Sequence, residues 1–383
     1  MVIPFWMTAG ILVYTYVGYP GLLWLVARLA CRSAAPARSR RGQEDLPGVT
    51  VVVAALNEER VIGERIKNLL AQDYPQDRLE IVIASDGSTD RTCEVAREVG
   101  GPAVRVFDFS KRQGKARVHN EVVPQASHSV VVFTDADTEF DPACVRHLAS
   151  ALADPAVGCV VGNLVYRSRE TAVAQAEGAY WRYEKALRRS ESRLGLLATA
   201  TGAVMAVRAE CWRDLTPIDD SDFTTPLDVM LQGRRVVQVE EALAYDIPPA
   251  TARGELRARM RQTSKNLVGT LRRWGVRGWL EHPLASWGLV SHKLLRWCTA
   301  FFLVTLLALN LTLVQEGTIF RLFLTAQGLF YLAALAGFVG DGRQLRLPLA
   351  SPIFSFVLAS IGMGIGVIKG CAGRAPATFS TVD

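Results

Sequence analysis

Four stretches of the chain carry almost no polar residues. The first, Val2 to Ala30, holds a single cation, Arg28, and is long enough to cross a hydrocarbon core of about 30 Å as a helix. A secretory signal peptide would need a basic segment ahead of its apolar stretch, and no Lys or Arg precedes Arg28. Three more apolar runs, Trp297 to Val314, Leu322 to Val339 and Leu347 to Ile368, are separated by short polar links such as Gln315-Glu316-Gly317 and Asp341-Gly342-Arg343. Each is predicted to span a membrane. Just before them, Leu271, Trp274, Val276, Trp279 and Leu280 interleave with Arg272, Arg273, Arg277 and His282. Trp on one side and Arg on the other is the pattern of a helix lying in the headgroup plane. An amphipathic surface helix of a soluble domain would show the same spacing.

Between these ends the periodicity changes. Short β-rich runs at Val49 to Ala54, Leu79 to Ser85, Ala103 to Phe109 and Ser129 to Thr134 are each followed by a helix-compatible segment of roughly a dozen residues. The alternation predicts an α/β fold with a mainly parallel sheet. The chain thus divides into a transmembrane helix at 2–30, a basic linker at 31–48, an α/β domain at 49–266, an amphipathic interfacial segment at 267–290, three transmembrane helices within 297–368 and a tail at 369–383.

Composition agrees with a soluble domain joined to membrane helices, since 50% of the 383 residues are apolar while 21% are still charged. The net charge of +6 is carried by Arg residues that cluster beside hydrophobic runs, which suits anionic headgroups better than nucleic acid. Arg28, Arg32, Arg38, Arg40 and Arg41 follow the first apolar run, so the positive-inside rule puts the domain beginning near Val49 in the cytoplasm. The charges around the last run, Arg343 and Arg346 before it and Lys369 and Arg374 after it, point both ways. Seven scattered Cys form no metal-type spacing and read as reduced thiols, again a cytosolic trait.

In parallel sheets ligands bind beyond the carboxyl ends of the strands, and the polar residues concentrate there: Asn57-Glu58-Glu59, Asp86-Gly87-Ser88-Thr89-Asp90 and Asp135-Ala136-Asp137. At the end of an extended run alternate residues project to one side, so Asp135 and Asp137 share a face. Two carboxylates about 4 Å apart repel by on the order of 4 kcal/mol at an effective dielectric of 20. A divalent cation removes that repulsion, and all-oxygen ligation suits Mg²⁺ or Mn²⁺; a solvated turn is the plainer reading of Asp-x-Asp. Asp86 to Asp90 also reads as an Asx-type turn with Asp90 capping the next helix. Lys115, after Gly114 and before Asn120, could meet a phosphate, although the segment is too short for a P-loop. Further on, Asp219, Asp220 and Asp222 precede Phe223 and Pro226. They are either acids favoured by a helix N-terminus or a general base among neighbours that raise its pKa.

Together, Asn57-Glu58, Ser85 to Asp90, Gly114-Lys115 with Asn120, Asp135-Ala136-Asp137, Thr201-Gly202-Ala203 and Asp222-Phe223 resemble the inverting family 2 glycosyltransferases with a GT-A fold. The flanking helices are similar to those of membrane-integral synthases related to cellulose, chitin and hyaluronan synthases. The resemblance covers about Val49 to Leu267. It implies that Asn57, Glu58, Asp86, Lys115, Asp135 and Arg261 bind the nucleotide donor, with Asp86 at the base and Arg261 at the leaving diphosphate. It also implies that Asp135 and Asp137 hold the metal and that Asp222 is the catalytic base, with Asp220 in reserve; Asp219 and Asp220 are expected to be solvated loop charge. Tyr180-Trp181-Arg182-Tyr183-Glu184, with Arg188 and Glu191, looks like an acceptor-side helix. Of the Gln-x-x-Arg-Trp motif of processive members, Ala258 to Gln262 keeps only Arg261, and Gln262 stands where the acceptor-holding Trp would be.

The implied activity is transfer of a sugar, with a UDP-sugar as the expected donor, to a glycan acceptor, with membrane lipids as the surroundings and the cell inner membrane as the location. Transfer of one sugar to a lipid carrier such as polyprenyl phosphate, a nucleotidyltransferase and a non-catalytic synthase subunit are the alternatives. The five His residues are expected to be structural.

Overall fold

The computed structural model describes residues 1–30, 46–167, 172–247, 251–343, 345 and 347–375. Most of the basic linker, Arg346 and the end of the tail lie outside them. Eight strands form one sheet: β1 Val49–Ala55, β2 Leu79–Asp86, β3 Val104–Phe109, β4 Val130–Thr134, β5 Glu139–Phe140, β6 Val157–Tyr166, β7 Met205–Arg208 and β8 Arg235–Asp246. Their order is β3-β2-β1-β4-β7-β6-β8-β5. The first four run parallel, with Val49 opposite both Leu79 and Val130. Beyond β4 the sheet reverses, because β7 pairs antiparallel with β4 and with β6.

The predicted strands match the first four to within a residue or two at each end; the other four were not expected as strands. Their signal is weaker for physical reasons. In β6, Gly158 and Gly162 interrupt the apolar run where neighbours come close, and in β8 Gln238, Glu240 and Glu241 break up the apolar residues of a partly exposed strand.

β1 shows why the central strands need covering on both sides. Val51 and Val53 face one core, with Ile62, Ile66 and Leu69 of the helix Ile62–Leu70, whereas Val52 faces a second core with Val118, Phe133 and Leu227. A strand buried on both faces reads as a continuous β-branched run, which is what Val51-Val52-Val53 is. The second core extends beyond the domain to Trp274, Leu289 and Trp297, so the α/β layer and the helices after it share one interior.

Among the described residues three helices are long and apolar enough to cross a membrane: residues 2–29, Thr318–Gly342 and Ala350–Cys371. The expected run Trp297 to Val314 is different. Its helix, Thr299–Leu313, has 15 residues, roughly 22 Å at 1.5 Å per residue. It bends by 62° from Pro283–Trp297, so the two form a span only if taken together.

The amphipathic segment also departs from expectation. Trp274 is buried and donates from Nε1 to Ser286 Oγ at 2.8 Å. Arg272 turns inward to Asp219 at 2.6 Å and Arg273 to the same carboxylate at 3.3 Å. The aromatic and the two cations are therefore used within the fold, while Leu271, Val276, Leu280 and Leu284 stay exposed.

The helix Ala252–Gly269 leans on the last span through glycines one turn apart. A Cβ on Gly362 would stand 2.9 Å from Arg259 Cβ, and one on Gly366 2.7 Å from Thr263 Cβ and 2.8 Å from the Met260 carbonyl. Near the end of the span, Gly370 leaves similar room for Leu267 and the Ser264 carbonyl. Only the missing side chains let the two backbones approach this closely.

Candidate active site

The carboxyl ends of β1, β2 and β4 bring the predicted loops to one cleft. After β1, Asn57 adopts a positive φ of 58°, which Asn tolerates better than most residues. Its Oδ1 accepts from Thr89 N at 2.8 Å, and its own N donates to Ser88 Oγ at 3.1 Å. Asn57 thus ties the first loop to the second. Asp90 makes the expected Asx-type turn, with Oδ1 accepting from Thr92 N at 3.0 Å, but the N-cap of the helix Thr92–Gly100 is Arg91. Asp86 is buried, and its carboxylate accepts from Gln113 N at 2.7 Å and Gly114 N at 2.9 Å. These bonds fix the loop that starts the helix Lys115–Val122 and aims Lys115 into the cleft.

Asp135 and Asp137 follow β4 with Ala136 buried between them. Lys115 Nζ lies 2.5 Å from Asp135 Oδ1. Burial opposes the lysine's charge, but Asp135 holds its pKa above the ordinary value. Asp137 is pushed up, first by burial and then by Asp135. Two further acids face this pair. Glu58 is raised to about 7 by burial, Asp137 and Asp135. Asp246, at the end of β8, is raised to about 6 by burial and then Asp137. Burial is the first cause of all three shifts, and the mutual repulsion of the acids adds to it. An all-oxygen, over-negative cluster fits a hard divalent cation. Among the described residues no three acids, His or Cys are gathered closely enough to hold an ion by themselves.

Across the cleft stands the helix Ser221–Leu231. The three acids at its start have separate fates. Asp219 is buried and held by Arg272, Arg273 and the Thr216 N–H at 2.8 Å. Asp220, the residue before the helix, pairs with Lys265 Nζ at 2.6 Å. The expectation that these two are solvated loop charge is therefore wrong: cations brought from 265–273 bury them. The Asp222 carboxylate has no hydrogen-bond partner among the described residues, and burial, then Asp220, raises its pKa to about 6. Gly202 lies against it, the site of an added Cβ being 3.6 Å from Oδ2. Arg261, whose pKa burial lowers, feels both Asp220 and Asp222 from the helix Ala252–Gly269. Gln262 is exposed.

The loop holding Thr201 and Gly202 is anchored from two directions. Thr134 Oγ1 donates to the Ala203 carbonyl at 2.8 Å and accepts from buried Arg65 at 2.7 Å. Arg188 Nη1 donates to Thr201 Oγ1 at 2.9 Å. Arg188 belongs to the expected acceptor-side helix, Ala172–Arg193, whose Glu184 and Glu191 are buried. Glu184 meets Arg296 at 2.6 Å, His292 at 3.1 Å and Lys293 at 3.2 Å, and Glu191 meets His292 at 2.8 Å and accepts from Tyr19 at 2.8 Å. Although burial alone would raise it, these cations hold the Glu184 carboxyl well below its usual range.

The structure thus gathers Asn57, Glu58, Lys115, Asp135, Asp137, Asp222 and Arg261 around one cleft, with Asp86 supporting its wall. Sequence reasoning missed Lys265 and Asp246. Asp246 closes a strand whose alternation was not recognised, and Lys265 follows Arg261 by one helical turn, a spacing that could have flagged it.

A mainly parallel sheet with an acid pair beyond its fourth strand, faced by a helix carrying an unpartnered carboxylate, fits the GT-A fold that the resemblance in sequence implied. Residues 50–212, under half of the chain, match the family model described as Glycosyl transferase family 2. The chain is 27% identical over 225 residues to the poly-beta-1,6-N-acetyl-D-glucosamine synthase of Staphylococcus aureus (strain COL), covering 57% of this chain and 54% of that protein. The synthase of the same name from Staphylococcus epidermidis is 25% identical over the same shares. The chain spans about half the length of these relatives. A solved structure, the mannosyltransferase PcManGT from Pyrobaculum calidifontis in complex with GDP-Man and Mn2+, superposes with a TM-score of 0.72 at 23% identity. It covers 97% of this chain and 99% of that one, so the likeness of fold includes the helices outside the domain.

Proposed function

We propose that this glycosyltransferase works at a membrane, with its α/β domain on the cytoplasmic side, and moves a sugar from a nucleotide-sugar to a hydroxyl of a glycan acceptor in one inverting displacement. The observation that carries this reading is the sorting of the three acids: Asp219 and Asp220 are paired, and only Asp222 offers an unpartnered carboxylate to the cleft. In this reading Asp222 accepts the proton of the attacking hydroxyl, and Thr201-Gly202 borders the acceptor. Asn57 and Glu58 line the donor side, and Asp86 shapes the wall that receives the base.

Asp135 and Asp137 would hold Mg²⁺ or Mn²⁺ together with oxygens of the donor diphosphate, since too few protein ligands are gathered for an ion alone. When bound, that ion supplies charge to the leaving diphosphate. Lys115 and Arg261 add donors that need no reorganisation as charge develops there.

Extension of a glycan is supported by the resemblance to the staphylococcal synthases. A second reading, one sugar placed on a lipid-carried acceptor, is favoured by Gln262, which is exposed and stands where an acceptor-holding Trp is expected. The test is to incubate membranes containing the full chain with UDP- and GDP-sugars and Mn²⁺ or Mg²⁺, scoring nucleoside diphosphate release and product length. Release with a lengthening product supports the first reading, and release with a single-sugar lipid product the second. No release with any donor overturns both.

A further inference from the structure

Lys265 is buried, its side chain only 4% exposed. Its Nζ lies 2.6 Å from Asp220 Oδ1, two residues before Asp222. It stands one helical turn beyond Arg261, on a helix that the glycines of the last span hold at close range. The ammonium is therefore placed by two packed backbones rather than by a flexible surface arm.

We propose that Lys265 is a positioning residue for sugar transfer: by neutralising Asp220 it keeps Asp222 ionised and free to take the acceptor's proton. The inference rests on Asp222 being the base. Five other charged groups bear on Asp222. Asp220 comes from its own helix end, Lys115 from Lys115–Val122, Asp135 from beyond β4, Arg188 from Ala172–Arg193 and Arg261 from Ala252–Gly269. Two of those cations are already engaged, Lys115 with Asp135 and Arg188 with Glu184. Without Lys265, Asp220 would lose its 2.6 Å ion pair and bear more strongly on the base, with Arg261 and Lys115 left to offset it, and like charges disfavour ionisation.

The test measures nucleoside diphosphate release against pH for the full-length protein, comparing wild type, Lys265→Met, Asp220→Asn, the double variant and Asp222→Asn. Thermal melting and donor binding are followed in parallel. In Lys265→Met the acid limb of kcat/KM should move up by about one pH unit, in Asp220→Asn it should move down, and in the double variant it should return close to wild type. Opposed shifts that cancel are not produced by structural damage. If both single variants lose activity equally at every pH with the limb unmoved, Lys265 is structural only and the proposal is overturned. If Lys265→Met fails to bind donor, Asp220→Asn decides, and an unmoved limb overturns the proposal. Full activity in Asp222→Asn would instead overturn the base assignment itself, which separates the two failures.

Discussion

Asp222 is a partly exposed, unpartnered carboxylate in a fold that gives its two neighbours salt bridges. Such an arrangement costs stability and suits a proton acceptor. Asp222→Asn should slow transfer by roughly 10² to 10⁴ fold while donor affinity is retained. It should leave the melting temperature unchanged or raised, because the raised pKa marks a charge the fold disfavours. The base must be ionised, so transfer should rise with pH through about 6 and fall below it, where the carboxyl holds its proton. A pH–rate profile flat from 5 to 8 would remove Asp222 from that role. At this scale Asp135 and Asp137 could be picked out by their alternate spacing at a strand end, whereas Asp222 was separated from Asp219 and Asp220 only through the family resemblance. The fates of Asp219 and Asp220 were not legible, because the cations that bury them arrive from 45 or more residues further along the chain.

Among elements, the helix Ala252–Gly269 does the most with the least sequence signal. It delivers Arg261 and Lys265 to the cleft, yet its surface is mixed in polarity and its partner is a span near the end of the chain. Its seating depends on Gly366, where even one methyl would meet Thr263 and Met260. Gly366→Ala should destabilise by about 1–3 kcal/mol and lower transfer, measured by melting and by diphosphate release. Gly328→Ala, where nothing lies within 4 Å, should change neither. Strands β1 to β4 were readable because burial on both faces demands unbroken β-branched runs. The mixed half was not, since glycines and interspersed polar residues dilute that signal.

For the whole molecule, two expectations concern surroundings. Excess EDTA should abolish transfer, with Mn²⁺ or Mg²⁺ restoring it; full turnover in chelator would refute the metal role of Asp135 and Asp137. A tag placed between Arg41 and Gly48 should resist protease in sealed right-side-out vesicles, and cleavage from outside would reverse the proposed orientation.

The bonds joining the first helix to the rest have a consequence in time. Tyr14 meets Ser291 across 277 positions of chain, and Tyr16 meets Thr299 across 283. At roughly 5–20 residues per second of synthesis, their partners emerge on the order of tens of seconds later. This helix is made long before the partners it docks against. Until then Glu191 lacks His292, and Glu184 lacks Lys293 and Arg296, so the helix Ala172–Arg193 cannot pair its buried acids before the chain has grown past residue 296.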